Sequence, residues 1–511
     1  MRRPAAAYVA VVLLAAACSD GPDGGGSAGP VTSSPLAPTT ASLYEPVYAP
    51  GPCDAAVPVD PRVECGTLTV PVDREAPEAG AVVLPVAVIA SASPTPEPDP
   101  IVYFSGGPGA AGRGIAGRIL DLDLGGPRDV IVFDQRGTGA STPGLDCPEI
   151  VEPIWGALGA PRDVLTEADL LVGAVLDCRA RLVAEGVDLD AYDTPTTAAD
   201  VEDLRLALGI EAWNIFGVSY GTTVALEVAR SYPDAVRSVV LDSVYPTDVG
   251  LGGEIRVEFA RRAVDQLVAG CAADAACAAA HGDVAAALQA LVDDWDASPF
   301  VTIIDDPATG QPRPLAITGK DVVAGLWNAM YDTALIGVLP SLLAPLRERG
   351  DVARTVVAQL ATDGIAQLTR LAEGVAIGVD CADRQRLGGL SDVEAIAIDP
   401  LFESLLTLGS TRRCDLWDVE SVDDGFTDPV VSDLPALVLG NEYDPVTPPA
   451  SSDRAAEGFA NGTYVFLPGL GHGAVFEGGC PLDLFRAFVS APTAPLDTAC
   501  AASMPPPSWS T

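Results

Sequence analysis

The chain has 511 residues, 48% of them hydrophobic, enough to bury a large core across roughly two to four domain lengths. Its 70 acidic and 29 basic residues leave a net charge of −41, which makes nucleic acid and anionic membrane surfaces poor partners and reads as a solvated acidic surface. A sharper reading is that some carboxylates grip a cationic group on a substrate. Only two histidines and no C-x-x-C pair are present, which argues against a zinc site.

Residues 1–18 read as an export signal, with Arg2 and Arg3 as the basic region, Tyr8 to Leu14 as the apolar region, and small residues leading into Cys18. The segment is too short to be a persuasive membrane span. Ala15-Ala16-Ala17-Cys18 is similar to a bacterial lipobox, with the leucine one place early at Leu14; lipidation at Cys18 and ordinary secretion both remain open. Residues 19–50, rich in Gly, Ser, Pro and Thr, lack an apolar period and read as a flexible linker. Apart from Cys18, ten cysteines remain, an even number that suggests disulfides in an exported protein. Pairing of neighbours gives Cys53–Cys65, Cys147–Cys178, Cys271–Cys277, Cys381–Cys414 and Cys480–Cys500, although spacing alone does not fix connectivity.

Short apolar runs at Val82 to Ile89, Ile101 to Phe104, Val130 to Phe133, Trp213 to Phe216, Val236 to Leu241, Ala436 to Leu439 and Thr463 to Leu467 read as buried parallel strands. Helical stretches lie between several of them, including Ala198 to Leu208, opened by Thr196 and Thr197 and closed by Gly209. This alternation predicts a doubly wound α/β sheet, with the first part of the core over residues 51–250. Over 251–425 the strand signal mostly vanishes and Ala/Leu/Val-rich helical periods replace it, at Arg256 to Cys271, Val284 to Trp295 and Asp321 to Met330. That stretch is expected to be a helical cap inserted into the core, which resumes over 426–511.

Gly217-Val218-Ser219-Tyr220-Gly221 stands between one of these strands and a helix-like stretch, Thr222 to Tyr232. In that position G-x-S-x-G describes a nucleophile elbow, a sharp turn that lifts the serine oxygen above the sheet in front of a helix N-terminus. Ser105-Gly106-Gly107-Pro108-Gly109 follows another strand, and its glycines let backbone N–H groups converge on one point, as an oxyanion hole requires. Pro108 has no N–H, so Gly107 is the expected donor there, and Tyr220, the residue after the nucleophile, is the second. Asp444 lies in a proline-bounded loop after a strand, and His472 in Gly471-His472-Gly473 after the next. The other histidine, His281, is embedded in the Ala-rich insertion, so the choice of base is nearly forced. The order Ser219, Asp444, His472 is that of an α/β-hydrolase triad.

Together these residues resemble a known family, the exported tripeptidyl aminopeptidases and proline iminopeptidase-like enzymes of the α/β-hydrolase superfamily. The resemblance runs from about Cys65 to Cys500 through Cys65 to Asp73, Gly106 to Gly109, Asp134 to Ser141, Gly217 to Gly221, Asp380-Cys381-Ala382-Asp383, Cys414 with Trp417, Asp444 with Thr447-Pro448, and Gly471 to Gly473 with Cys480. Many iminopeptidases carry a histidine before the glycine pair where this chain has Ser105, so the tripeptidyl branch is the closer match. The resemblance implies an α/β-hydrolase fold with a large helical cap, a peptide substrate cleaved from its free amino terminus, and no metal or organic cofactor. Membrane contact would come only through an N-terminal lipid.

Family members grip the substrate ammonium with acidic residues of the cap region. Glu254 and Glu258, one helical turn apart at the start of the insertion, are the nearest candidates here, against the plainer reading of acids placed in a first turn by the helix dipole. Asp134 and Arg136 read as a structural pair near the edge of the sheet. Two other readings stay open: a carboxylesterase on the same scaffold, since the triad is indifferent to amide or ester, and a binding protein that kept the fold without the chemistry.

Overall fold

The computed structural model describes residues 44–160, 164–250, 252–306, 308–405 and 410–511. The leader expected at residues 1–18, Cys18 included, and most of the linker lie outside the described residues. The strands are β1 Val47–Gly51, β2 Val63–Pro71, β3 Ala81–Ile89, β4 Ile101–Phe104, β5 Val130–Phe133, β6 Trp213–Val218, β7 Val236–Asp242, β8 Phe300–Asp305, β9 Pro312–Ile317, β10 Ser432–Asn441 and β11 Phe459–Leu467. Nine of them form one sheet in the order β1-β2-β3-β5-β4-β6-β7-β10-β11. From β5 through β11 the neighbours run parallel, whereas β1, β2 and β3 are antiparallel to one another and β3 is antiparallel to β5.

Strand residues alternate between two apolar layers, as the period of a pleated strand requires. Val102 and Phe104, Ile131 and Phe133, Trp213 and Ile215, and Ala436 and Val438 join one layer. Ile101 and Tyr103, Val130 and Val132, Phe216 and Val218, and Leu437 and Leu439 join the other. With both faces covered, these strands read as continuous apolar runs. All seven of the predicted strands are present, but the run expected as a parallel strand at Val82 to Ile89 is β3, which is antiparallel to both of its neighbours.

β1 corrects the expected linker: residues 47–51 pair with β2, from Val47 opposite Thr69 to Gly51 opposite Cys65, so the core begins before residue 51. The run was not visible as a strand because only Tyr48 leans on the core while its neighbours are exposed. β2 escaped for a similar reason, since Glu64, Thr67 and Thr69 interrupt its apolar residues.

The insertion after β7 opens with the helix Gly253–Ala273 and continues through Val284–Ala297, Gly319–Ala329 and Asp351–Arg370. These helices share an apolar cluster of their own around Leu291, Trp295, Leu326, Met330 and Leu346. Two features differ from a purely helical cap. β8 and β9 form an antiparallel hairpin inside it, and Trp155, from the helix Val151–Leu158 of the first half, packs into its cluster. The helices Glu373–Arg384 and Ser410–Trp417, within the stretch assigned to the cap, contribute Val375, Val379, Cys381, Cys414 and Trp417 to a layer of the sheet instead. Disulfides join Cys53–Cys65, Cys147–Cys178, Cys271–Cys277, Cys381–Cys414 and Cys480–Cys500, the neighbour pairing. Five bridges belong to an oxidising, extracytoplasmic compartment.

Candidate active site

β4 lies between β5 and β6, so the chain leaves the C-terminal ends of neighbouring parallel strands in opposite directions and opens a crevice there. The loops after β4, β6, β7, β10 and β11 meet at this edge. Ser219 sits between β6 and the helix Tyr220–Ser231 with φ 59° and ψ −129°, a conformation that an L-residue holds only when its surroundings impose it. The flanking glycines make this possible by close approach: a Cβ on Gly217 would lie 2.3 Å from the Gly221 carbonyl oxygen, and one on Gly221 would lie 2.0 Å from that of Phe104. The helix behind Ser219 thus packs backbone to backbone against β4.

The loop after β4 passes directly over this turn. A Cβ on Gly106 would come within 2.8 Å of the Ser219 Cβ. Gly107 has φ +111°, open to glycine and costly for other residues, and it lines a cavity of about 230 Å³ together with Ser219. Tyr220 is the first residue of its helix, where a backbone N–H has no partner from a preceding turn.

Asp444 and His472 are joined, with Nδ1 2.9 Å from Asp444 Oδ2. Asp444 is fully buried and accepts three further hydrogen bonds, from the N–H groups of Val446 at 3.0 Å and Thr447 at 2.8 Å and from the Thr447 hydroxyl at 2.7 Å. Burial disfavours its charge, yet His472 and the Thr447 donors hold its pKa below the ordinary aspartate value. For His472 the balance is opposite in sign: burial lowers its pKa, and the Asp444 carboxylate more than offsets this and leaves it raised. With Nδ1 engaged by the acid, Nε2 is the nitrogen left for proton transfer. His281 is elsewhere, its Nε2 2.6 Å from the Ser510 carbonyl oxygen.

A shell of buried polar groups that the sequence did not single out holds the histidine loop. Asp242, at the end of β7, accepts from Val475 N at 2.8 Å and from Asn441 Nδ2 at 3.0 Å. The Ser243 hydroxyl accepts from Gly473 N and from Asn441 Nδ2, both at 2.9 Å. Burial pushes the Asp242 carboxyl up against these donors and the nearby imidazole. The cap takes the other side: His472 N donates to the Tyr331 carbonyl at 3.1 Å, Gly471 N donates to the Thr333 hydroxyl at 3.0 Å, and the Tyr331 ring lies 4.9 Å from the imidazole. The one available signal was that β7, like β10, is an apolar run ending in an acid or amide.

The cavity at Ser219 is walled by Tyr245, Ile255, Arg256, Phe259, Trp327 and Asp380, among others. Trp327 Nε1 donates to the Pro445 carbonyl at 3.0 Å, which ties the cap to the loop of the acid. Glu254 and Glu258 are not in this wall. Glu254 Oε2 accepts the Leu390 N–H at 2.8 Å, and Glu258 is exposed. The helix is the expected one, but its cavity face carries Ile255, Arg256 and Phe259; Ile255 and Phe259 each stand one residue, about 100° round the axis, from Glu254 and Glu258, and Arg256 stands farther round still. The acid that does line the cavity is Asp380, 3.7 Å from Arg413. Nearby Glu373 is buried, and burial raises its pKa against the pull of Arg413. Asp134 and Arg136 are not a pair: Asp134 bonds Arg113 at 3.0 Å, and Arg136 bonds Asp200 at 2.6 Å.

The alpha/beta hydrolase fold family matches residues 99–301, and the TAP-like protein family matches residues 399–500. The chain is 33% identical over 199 residues to a tripeptidyl aminopeptidase of Streptomyces lividans, covering 36% of this chain and 35% of that protein. It therefore spans about a third of the length of that relative. Serine protease Hip1 of Mycobacterium tuberculosis is 25% identical over 453 residues, 82% of this chain and 83% of Hip1. A proline iminopeptidase of Xylella fastidiosa is 29% identical over 150 residues, 29% of this chain and 34% of that protein. With a mostly parallel sheet whose strand ends carry Ser219, Asp444 and His472, and with these two families matched in succession, the chain has the α/β-hydrolase fold and is similar to tripeptidyl aminopeptidases and proline iminopeptidases.

Proposed function

We propose that the protein is an exported serine hydrolase that removes short peptides from a free amino terminus through an acyl-enzyme. Ser219 Oγ attacks the scissile carbonyl, His472 Nε2 takes its proton and returns it to the leaving amine, and Asp444 holds the imidazole in the tautomer with the proton on Nδ1. The oxygen that becomes negative faces the N–H groups of Gly107 and Tyr220. Such donors are each worth about 10²–10³ in rate. Water then enters by the same base and releases the acyl group.

The observation that carries the peptidase reading is the shared cavity: Ser219 and Gly107 open into the space that Asp380 borders. A carboxylate there suits an ammonium group by a charge-assisted hydrogen bond. The same wall carries Ile255, Phe259 and Leu405, which favours short acyl esters as the second reading.

A matched set of free and N-acetylated tripeptidyl amides and short-chain acyl esters, with Ser219→Ala as the blank, separates the two. Faster cleavage of the free amines supports the proposal, and turnover of esters alone overturns it. Export by way of a lipid on Cys18 belongs to the same proposal; loss of the protein from the membrane fraction in Cys18→Ala is the expected result, and an unchanged distribution speaks for plain secretion.

A further inference from the structure

Three helix ends converge behind the nucleophile. Thr194 opens the helix Thr194–Ala207, Tyr220 opens the helix Tyr220–Ser231, and Asp383 is the penultimate residue of Glu373–Arg384. All three side chains are buried, Thr194 completely, Tyr220 at 1% exposure and Asp383 at 2%. The Thr194 hydroxyl donates to Asp383 Oδ2 at 2.5 Å, and Thr194 N donates to Asp383 Oδ1 at 3.2 Å. The Tyr220 hydroxyl lies 2.8 Å from Thr194 Oγ1. A hydroxyl has one proton to give, so the three groups form one hydrogen-bonded chain in which the phenol donates to Thr194 whenever the Thr194 proton goes to the carboxyl group.

This chain is costly if stability is its only purpose. It crosses an apolar layer formed by Val224, Val375 and Tyr192, among others, and well-packed apolar side chains of similar volume serve a core at least as well as a buried polar set. Burial, with the nearby Asp193 carboxylate, pushes the Asp383 carboxyl up to about 8 against Thr194 and Arg384, as expected also for an acid at a helix C-terminus. What the chain does provide is a directional constraint on Tyr220, whose φ and ψ follow directly on the strained turn at Ser219.

We propose that Asp383 and Thr194 are positioning residues for the oxyanion donor: the carboxyl group fixes Thr194, Thr194 fixes the Tyr220 phenol, and the phenol fixes the helix turn from which the Tyr220 N–H projects. The inference rests on the role given to Tyr220 in the proposed function. It makes the oxyanion site dependent on a helix of the inserted segment, Glu373–Arg384, one of the two that pack on the sheet.

Tyr220→Phe removes only the phenol oxygen and keeps the N–H, Thr194→Val removes the hydroxyl at constant shape, and Thr194→Ser retains it. Expected are a fall in kcat of about tenfold in each of the first two with KM unchanged, no further fall when they are combined, and near wild-type kcat in Thr194→Ser. Binding of a peptidyl aldehyde, whose adduct carries the oxyanion, should weaken by the same factor while binding of the product peptide does not. Independent multiplication of the two effects, a change confined to KM, or unchanged kcat in variants whose Tm shows them folded overturns the proposal. If Tyr220→Phe does not fold, Thr194→Val against Thr194→Ser decides alone. Absence of turnover of both peptides and esters by the wild-type protein marks instead a failure of the proposed function, because the positioning test reads only ratios to wild type.

Discussion

The sheet edge and the cap reach the same cavity by different routes. At the sheet edge each functional group stands where a strand stops, and its environment is made of backbone: Asp444 receives two main-chain N–H groups, and Ser219 is held by a turn that only glycines on either side permit. In the cap the cavity wall is made of side chains on helix faces, where a rotation of one residue exchanges Arg256 for Val257 in one sense, or Phe259 for Glu258 in the other. Chemistry is therefore placed by topology in one region and by helix phase in the other. Substitutions should follow that division, with turnover lost at the edge and substrate selection altered in the cap.

The largest effect is expected at the edge. Ser219→Ala should lower kcat by about 10⁶-fold, and labelling by a fluorophosphonate, followed by mass spectrometry of the adduct, should vanish with it. Asp444→Asn should cost about 10⁴-fold through loss of the correct imidazole tautomer. It should also move the acidic limb of the pH profile. His472 must be neutral to act as base, and its pKa is raised by Asp444, so activity rises with pH through a value above 6.5; without the carboxylate that limb shifts down. A limb that stays in place would remove His472 or Asp444 from the mechanism.

In the cap, Asp380→Asn should raise KM for free-amine substrates by about tenfold or more and leave N-acetylated ones unchanged, as expected for one charge-assisted hydrogen bond. Equal effects on both substrates would make Asp380 a structural partner of Arg413. The smallest effect concerns stability. Replacing both cysteines of Cys271–Cys277, only six residues apart, should lower Tm less than replacing Cys381–Cys414, which closes a loop of 33, because loop entropy grows with length. Thermal unfolding of the two double variants makes the comparison.

Low pH gives a further check on the edge. Asp444 has a depressed pKa in the folded state, so its contribution to stability is present above the unfolded value of about 4 and is lost as pH falls through the folded one. Asp444→Asn should flatten the acid branch of the unfolding curve.

Much of this division was legible from residues alone. The buried strands β4 to β7, β10 and β11 declare themselves because both faces are apolar, and a motif residue directly after such a run has to emerge at the sheet edge. Ser219, Asp444, His472, Gly107 and Tyr220 were placed in that way. β1 was not, because only Tyr48 among its residues is half-buried. Glu254 and Glu258 are the acids nearest the start of a helix that the sequence does predict, but amphipathic spacing does not say which flank of a helix meets a cavity shared with another element. Asp380 and Asp383 were present in a quoted motif; what set them apart, contact with the cavity for one and with Thr194 for the other, arises only from packing the inserted segment back on the sheet.

His472 hangs from two supports that belong to different parts of the chain: Gly473 is tied to Ser243 at the end of β7, while His472 and Gly471 are tied to Tyr331 and Thr333 of the insertion. His472, the base of the proposed mechanism, is thus a rivet between scaffold and roof. A roof fastened at that point swings away from the sheet only by breaking the contacts that Tyr331 and Thr333 make with the histidine loop, so wide opening would disturb the imidazole that the proposed mechanism uses. On the proposed function, a chain end that threads in with the rivet closed is the substrate that would meet an intact catalyst.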